Sequence, residues 1–317
     1  MLDSLSKAFF HALAGSDTLK RLASTHGMRR RDSFARRFIA GETVEEAIAA
    51  AAAVEAAGLT QTLDYLGERV ATMAEADAAT RAYLRVIDTI VQSGIGRNLS
   101  LKLTQLGLTV DRATSVDNLR RVLDAAAVHE FFVRIDMENS PYTDVTLDIF
   151  ETMWQQGYRN VGVVLQSYLP RSVEDARTMN RLGARVRLVK GAYNEPRGVA
   201  HQSKSDVDAA FVEITKLLLV EGTYPAIATH DPAMINAARA FAHDHKIGSD
   251  RFEFQMLYGV RRDLQSHLKS AGYRMRVYIP FGQEWFPYFM RRLGERPANI
   301  KFVVSSILQE RSHGQTM

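Results

Sequence analysis

The stretch Val186-Arg187-Leu188-Val189-Lys190-Gly191-Ala192-Tyr193 is the best-defined strand in this chain of 317 residues. Side chains alternate along a regular strand, so Arg187 and Lys190 face opposite sides and only one of them points into a barrel. A Schiff-base lysine at position 190 would need Arg187 turned outward. Gly191 and Ala192 allow a ligand to approach the backbone closely. An inward Arg187 suits an electron-rich ring that gains negative charge, and the sequence leaves both arrangements open.

Seven more apolar or β-branched runs alternate with helical segments along the chain. The eight candidate strands are Thr60–Leu66, Leu99–Leu103, Phe131–Asp136, Val161–Gln166, Arg185–Lys190, Pro225–Thr229, Phe252–Gln255 and Met275–Ile279. This alternation predicts an α/β fold, a (βα)8 TIM-type barrel with a helical N-terminal arm and a final helix over the barrel mouth. A doubly wound open sheet is the rival, but no Gly-x-Gly-x-x-Gly follows an early strand.

The helical pattern divides the chain into three parts. Thr43, followed three residues later by Glu46, predicts a capping box, and the Ala-rich helix that begins there stops at Gly58. We therefore predict a helical N-terminal arm over residues 1–58, the barrel over residues 59–310 and a C-terminal tail over residues 311–317.

Composition excludes several classes of function. The absence of cysteine rules out disulfides, thiolate catalysis and cysteine-based metal or iron–sulfur sites. Histidines and carboxylates lack metal-ligand spacing, so no metal is predicted. No apolar run approaches the ~20 residues of a membrane-spanning helix, and no convincing signal peptide is present. These features predict a cytoplasmic protein.

Basic residues are concentrated early in a chain whose net charge is +4, in Lys20-Arg21 and in residues 28–38. A solvated helix end is one interpretation of this stretch, and contact with an anionic lipid surface is the other. A nucleic-acid-binding motif and an aromatic–basic repeat are both missing from the sequence, so no nucleic acid is expected as a partner.

Polar side chains follow nearly every predicted strand. The strand ends carry Lys102, Asp136, Gln166, Arg187 to Tyr193, Thr229-His230, Gln255 and Tyr278. In barrels of this kind the active site lies at the C-terminal ends of the strands. Although any one of these residues could be structural, together they indicate a mouth that binds a large polar ligand.

The stretch Trp285–Glu295 predicts a second part of the same site. Tyr288, Arg291, Arg292 and Glu295 are spaced so that a helix presents them on one face. Two guanidiniums beside a phenol form a planar clamp for a small carboxylate. A solvated basic helix face is the alternative for an Arg-Arg pair alone.

With these residues in hand, the chain resembles the proline dehydrogenase family in its short monofunctional bacterial form. The similarity covers most of the chain after the arm. The matching segments are Leu63–Glu68, Ser100–Leu108, Ile135–Glu138, Val164–Leu169, Leu188–Tyr193, Ala228–Asp231, Phe252–Arg261, Val277–Gly282 and the helix that carries Arg291-Arg292.

The resemblance implies an FAD enzyme that oxidises L-proline to Δ1-pyrroline-5-carboxylate, the first step of proline catabolism. A hydride would leave the ring carbon next to nitrogen for flavin N5, and electrons would then pass to a membrane quinone. A separate pyrroline-5-carboxylate dehydrogenase would oxidise the product. Together with the basic arm, this predicts a cytoplasmic protein with peripheral contact at the inner membrane surface.

The resemblance also implies roles for individual residues. The carboxylate clamp would consist of Lys102, Arg291 and Arg292. Asp136 would orient the clamp and Tyr278 as part of the catalytic machinery. The proline ring would be enclosed by Tyr278, Tyr288 and Leu257.

For the cofactor, the resemblance implies that Arg187 hydrogen-bonds flavin N5 and stabilises the reduced ring. Gln166 and Met137 would contact the isoalloxazine. The remainder of FAD would be held by Lys190, Gly191, Ala192, Thr229 and His230. Glu295 would pair with the arginine helix or reach the cofactor.

Three alternatives stay open at this point. The first is a Schiff-base aldolase-type barrel that uses Lys190 or Lys102. The second is a non-enzymatic flavin or lipid-surface module built on the basic arm. The third is a hydroxyproline-specific enzyme of the same family, which Tyr288 disfavours because a smaller residue accompanies hydroxyproline there.

Overall fold

Eight parallel strands close into a barrel in the order in which they occur along the chain. The computed structural model describes residues 34–294 and the side chains of residues 35–291. The strands are β1 Thr60–Tyr65, β2 Asn98–Leu101, β3 Phe132–Ile135, β4 Val161–Gln166, β5 Val186–Val189, β6 Ala226–Ala228, β7 Glu253–Leu257 and β8 Met275–Phe281. All eight predicted strands are therefore confirmed, with ends that differ from the predicted ones by two residues at most.

Nine α-helices lie within the described residues. They are α1 Val44–Ala56, α2 Met73–Ser93, α3 Arg112–Val128, α4 Thr143–Gln155, α5 Ser172–Leu182, α6 Lys204–Glu221, α7 Pro232–Asp244, α8 Arg262–Ser270 and α9 Trp285–Gly294. The predicted capping box is confirmed. The Thr43 hydroxyl accepts a hydrogen bond from the Glu46 amide, and the Glu46 carboxylate accepts one from the Thr43 amide. In the described part of the chain, no helix has the length and apolar character needed to cross a bilayer.

Helix α1 packs on the outer wall of the barrel against β1 and β8. Ala47 and Ala51 are fully buried there, and their small side chains allow the helix to approach the sheet closely. The chain just before α1 is tied to the end of β8, because the Ala40 amide donates to Pro280 O and the Gly282 amide donates to Gly41 O, each at 2.9 Å. Helix α1 therefore covers the wall of the barrel and leaves the mouth to helix α9.

A second apolar cluster fixes α9 in that position. It joins the segment before α1, the loop after β1 and the first turns of α9. Its buried members are Ala35, Phe38, Ile39, Leu66, Trp285, Phe286, Tyr288 and Phe289. The Trp285 indole also donates to Glu42 Oε1 at 2.9 Å. The apolar packing and this hydrogen bond therefore hold the final helix over the mouth.

The barrel interior is polar, and the apolar core lies between the strands and the helices around them. Asp64, Ser100 and Arg134 are neighbours in the strand register and lie on the interior face of their strands. Alternate residues such as Leu63, Leu99 and Val133 belong to the apolar core. Because buried charges are costly unless they are paired, such an interior indicates a binding or catalytic site rather than side chains that only fill the barrel.

Candidate active site

Arg187 points into the barrel and occupies its centre. Its Nε donates to Gln255 Oε1 at 2.6 Å, its Nη1 to Asp136 Oδ1 at 2.7 Å and its Nη2 to Ser100 Oγ at 3.1 Å. The side chain is only 4% exposed. Contacts at all three nitrogens fix the plane of the guanidinium. Of the two arrangements that the sequence left open, the structure contains the one with Arg187 inside.

Asp136 connects three of the predicted site residues. One carboxylate oxygen accepts from Arg187, and the other accepts from the Tyr278 hydroxyl at 2.7 Å and lies 3.8 Å from Lys102 Nζ. Burial, followed by the carboxylates of Asp136 and Asp64, raises the pKa of Tyr278 well above its usual value. Tyr278 therefore stays a neutral phenol that donates to Asp136.

Lys102 is a buried ammonium held by two carboxylates. Its Nζ lies 3.3 Å from both oxygens of Asp64. Burial alone would lower the pKa of Lys102, but Asp64 and then Asp136 outweigh burial and raise that pKa. An amine that stays protonated cannot attack a carbonyl, so Lys102 is not placed to form a Schiff base.

Lys190 lies just beyond the end of β5 and is held away from the barrel axis. Its Nζ lies 2.8 Å from Asp231 Oδ2 and also contacts Asp208 on α6. Lys204 at the start of α6 joins the same two carboxylates. The two candidate lysines are thus both engaged in ion pairs, and the geometry does not support the aldolase alternative.

Arg291 closes the mouth from the side of α9. Its Nη1 lies 2.8 Å from Glu68 Oε1, and its Nη2 lies 3.4 Å from Glu68 Oε2. Although burial alone would raise the pKa of Glu68, Arg291 and then Lys102 outweigh it and lower that pKa. Tyr193 lies in the same region, and burial followed by the Glu68 carboxylate raises its pKa. A charged bridge and a neutral phenol therefore line the entrance.

The other predicted residues of α9 are only partly described. Tyr288 is buried in the apolar cluster described above, at 6% exposure. Arg292 lies in α9, but its side chain is outside the described residues, and so is Glu295. Of the three residues predicted for the clamp, the side chains of Lys102 and Arg291 are therefore described, and their role in binding a carboxylate stays a prediction.

Leu257 and His230 meet at the ends of β6 and β7. The Leu257 amide donates to His230 Nε2 at 2.9 Å. A ring nitrogen that accepts a hydrogen bond carries no proton, so the proton of the neutral ring lies on Nδ1. Thr229 Oγ1 accepts from the Asp231 amide at 3.1 Å and shapes the turn into α7.

The predicted cofactor side of the mouth has features that suit a bound ring system. Gln166 is 2% exposed, and its Oε1 is buried with no hydrogen-bond partner among the described residues. Gly191 has φ +113°, and a Cβ there would lie 2.5 Å from the Tyr168 ring, so only glycine fits. Met137, which follows Asp136 in the sequence, is buried, and Ala192 follows Gly191. A buried acceptor without a partner is costly unless a ligand supplies a donor.

Sequence reasoning assigned no individual role to five residues that the structure brings into or next to this site, although two of them were among the polar strand ends. These residues are Asp64, Glu68, Ser100, Tyr193 and Gln255. A weak signal existed for Asp64 and Ser100, since each is a polar residue between two apolar or aromatic neighbours in its strand. Their partners depend on the register between strands, which a single sequence does not reveal.

A closed parallel barrel whose mouth gathers a buried guanidinium, a carboxylate hub and a cationic final helix defines a (βα)8-barrel enzyme. The family model described as proline dehydrogenase matches residues 47–305. The chain belongs to the proline dehydrogenase family.

Curated relatives of similar length support this membership. The chain is 41% identical to proline dehydrogenase 1 of Bacillus subtilis (strain 168), over 95% of this chain and 98% of that protein. It is 39% identical to proline dehydrogenase of Deinococcus radiodurans, over 98% of this chain and 100% of that protein.

Longer proteins match through part of their length. A crystal structure of proline utilization A from Bdellovibrio bacteriovorus, inactivated by N-propargylglycine, matches with a TM-score of 0.76 and 28% identity. That match covers 82% of this chain and 32% of the longer one. The chain therefore spans about a third of that solved structure.

Proposed function

We propose that this chain is an FAD-dependent enzyme that oxidises L-proline to Δ1-pyrroline-5-carboxylate, the first step of proline catabolism. The observation that carries the proposal is the buried Arg187 guanidinium, fixed at the barrel centre by Gln255, Asp136 and Ser100. A fixed cation at this place favours a ring that gains negative charge. The family to which the chain belongs is generally flavin-dependent, which agrees with this chemistry.

The residues on the cofactor side fit FAD. Gln166 presents an acceptor that lacks a donor among the described residues. At Gly191 a Cβ would collide with the Tyr168 ring, so the backbone turn at the end of β5 requires glycine. Arg187, Gln166 and Met137 would hold the ring system. The rest of the cofactor would be held by Lys190, Gly191, Ala192, Thr229 and His230. FAD, when bound, accepts the hydride that leaves the substrate carbon.

The substrate is held by its carboxylate and enclosed by aromatic and aliphatic side chains. Lys102, Arg291 and Arg292 would bind the carboxylate, and such positioning contributes several kcal/mol, up to about 7–11 in well-oriented systems. Tyr278, Tyr288 and Leu257 would enclose the ring. Tyr288 favours proline over hydroxyproline, because the family resemblance implies a smaller residue at this position for hydroxyproline.

Arg291 has two partners in this proposal. In the structure it pairs with Glu68 and covers the mouth. Substrate can enter only when the mouth opens, and its carboxylate then joins Arg291 and Lys102 inside. Closure over the bound ring excludes water and strengthens the contacts of Asp136, Tyr278 and the clamp.

The value of kcat/KM for proline is expected to rise with pH through neutrality. Hydride departure needs a neutral amine, and a free prolinium is protonated at pH 7. Burial and neighbouring carboxylates raise the pKa of Tyr278 and Tyr193, and neighbouring carboxylates outweigh burial and raise that of Lys102. Arg291 and then Lys102 outweigh burial and lower the pKa of Glu68. These four groups keep their charge states across the neutral range, so none of them accounts for the rise. We assign it to the substrate amine, whose pKa the cationic clamp lowers.

The check is steady-state kinetics between about pH 6 and pH 9. A profile that stays flat across this range would contradict the requirement for amine deprotonation in the bound complex.

Gly191→Ala is expected to weaken FAD binding selectively. A Cβ at this position would lie 2.5 Å from the Tyr168 ring, and its φ of +113° is unfavourable for alanine. Strain of about 1–3 kcal/mol, borne by the FAD-bound state, corresponds to about a 5-fold to 150-fold loss of affinity. Titration of FAD-free protein with FAD, followed by fluorescence, measures the effect.

Gly198→Ala is the matched control, because it lies in the same loop and an added Cβ there meets nothing within 4 Å. Equal FAD affinity in both variants would mean that this loop does not approach the cofactor.

Product analysis tests the proposed activity. Purified protein incubated with L-proline, FAD and an artificial electron acceptor should form a cyclic imine two hydrogens lighter than proline, detected by mass spectrometry. Proline left unchanged under these conditions would overturn the assignment of the substrate.

Quinone reduction and membrane contact belong to the same proposal. Electrons would pass to a membrane quinone, and a separate pyrroline-5-carboxylate dehydrogenase would consume the product. Most of the basic arm that would contact lipid lies outside the described residues, while Arg36 and Arg37 lie within them. Co-sedimentation with anionic liposomes at low salt is the expected result, and protein that stays in the supernatant would contradict peripheral binding.

A further inference from the structure

We propose that Glu253 and Arg276, a buried ion pair at the end of the barrel interior opposite the mouth, are positioning residues for Arg187. They act through Gln255, which lies between the pair and the Arg187 guanidinium. The inference rests on the proposed function, since its consequence is the alignment of Arg187 with the flavin.

The ion pair is fixed by several contacts. Arg276 Nε lies 2.8 Å from Glu253 Oε1, and its Nη2 lies 3.1 Å from Glu253 Oε2. The remaining nitrogen, Nη1, donates to Gln61 O at 2.6 Å. Glu253 is 3% exposed. Burial alone would raise the pKa of Glu253, but Arg276 outweighs it and lowers that pKa, so the carboxylate is charged.

Gln255 transmits this fixed geometry because its amide has two different ends. Glu253 and Gln255 are two apart on β7 and share the interior face. Gln255 Nε2 donates to Glu253 Oε1, and Gln255 Oε1 accepts from Arg187 Nε at 2.6 Å. A carboxylate can only accept, so Glu253 forces the amide to present its oxygen to Arg187.

The reversed amide would place an NH2 group against a guanidinium, which has only donors. Arg187 would then keep Asp136 and Ser100 at its Nη atoms but lose the contact at Nε. A guanidinium held at one end only can rotate about that end. The carboxylate of Glu253 therefore reinforces the amide orientation that Arg187 itself prefers, and it fixes the position of the Gln255 side chain at a distance from any reacting atom.

Two variants separate this role from a structural one. Glu253→Asp keeps the charge beside Arg276 but draws the carboxylate away from Gln255. The double variant with Glu253→Met and Arg276→Met removes the acceptor for Gln255 and both charges together, so no buried ion is left unpaired. The measurements are the midpoint potential of bound flavin, kcat and KM for proline, and the thermal unfolding temperature.

Tyr224→Phe is the matched control. The Tyr224 hydroxyl donates to Glu253 Oε2 at 3.2 Å, on the oxygen that Gln255 does not use. Its removal changes a neighbour of the same carboxylate without changing the link to Arg187. We expect wild-type kcat and potential in this variant.

In Glu253→Asp and in the double variant we expect kcat to fall at least about tenfold, with KM within about twofold. The flavin potential should move in the negative direction, by about 30 mV for each tenfold loss of preference for the reduced form. A folded variant of either kind with wild-type kcat and potential would overturn the proposal. An equal change in Tyr224→Phe would also overturn it, since it would indicate general loosening. Wild-type protein that fails to bind flavin, or whose flavin proline does not reduce, would instead refute the proposed function.

Discussion

Replacing Arg187 by methionine should lower kcat for proline by about 100-fold to 1,000-fold, because the variant loses a fixed cation at the point where negative charge develops. Methionine retains an unbranched side chain and fills much of the same space. The loss should appear in kcat rather than in KM, since Arg187 is held by Gln255, Asp136 and Ser100 on the cofactor side of the mouth. Stopped-flow measurement of flavin reduction by proline gives the rate directly.

Arg187→Lys is the matched control for charge. A lysine keeps the positive charge but cannot satisfy three partners in one plane, so an intermediate rate is expected. If Arg187→Met retained a flavin reduction rate close to that of the wild type, the guanidinium would have no role in stabilising the reduced ring.

Replacing Arg291 or Arg292 by methionine should raise KM for proline far more than it weakens FAD binding. Loss of one charged contact to a buried carboxylate costs about 2–5 kcal/mol, which corresponds to at least about a tenfold rise in KM. Arg291 already contacts a carboxylate in this structure, that of Glu68, at 2.8 Å. Steady-state kinetics and FAD titration on the same preparations separate the two effects.

Glu68→Gln is the control for the bridge across the mouth. It removes the partner of Arg291 but leaves both cations of the described clamp, so KM should change much less than in Arg291→Met. Loss of FAD in the arginine variants with unchanged KM would mean that α9 covers the cofactor instead of holding the substrate.

Much of the fold could be predicted because the spacing of apolar residues and the positions of capping and turn residues reflect local physics. The alternation of strands with helices predicted all eight strands, and the Thr43 cap predicted the start of α1. The position of α1 on the wall between β1 and β8 could not be predicted, since it depends on packing between distant parts of the chain. The same applies to the apolar cluster that holds α9.

Site residues could be predicted where a polar residue ends a strand. They could not be predicted where the register between strands decides which residues become partners. Arg187 and Lys190 both appeared as candidates, and only the closed barrel distinguishes the residue that points inward from the one paired with Asp208 and Asp231. Gln255 ends a predicted strand, but the role of its amide depends on Glu253 and Arg187, which lie on either side of it. The sequence alone does not place these three residues together.

Anaerobic addition of L-proline to the purified protein, followed by visible absorption, tests the central claim most directly. The account predicts a flavin spectrum that bleaches as proline is added, which reports cofactor and substrate together. A flavin spectrum that proline leaves unchanged would contradict the assigned substrate. A protein that stays colourless after FAD is supplied would contradict the account of the cofactor and of Arg187.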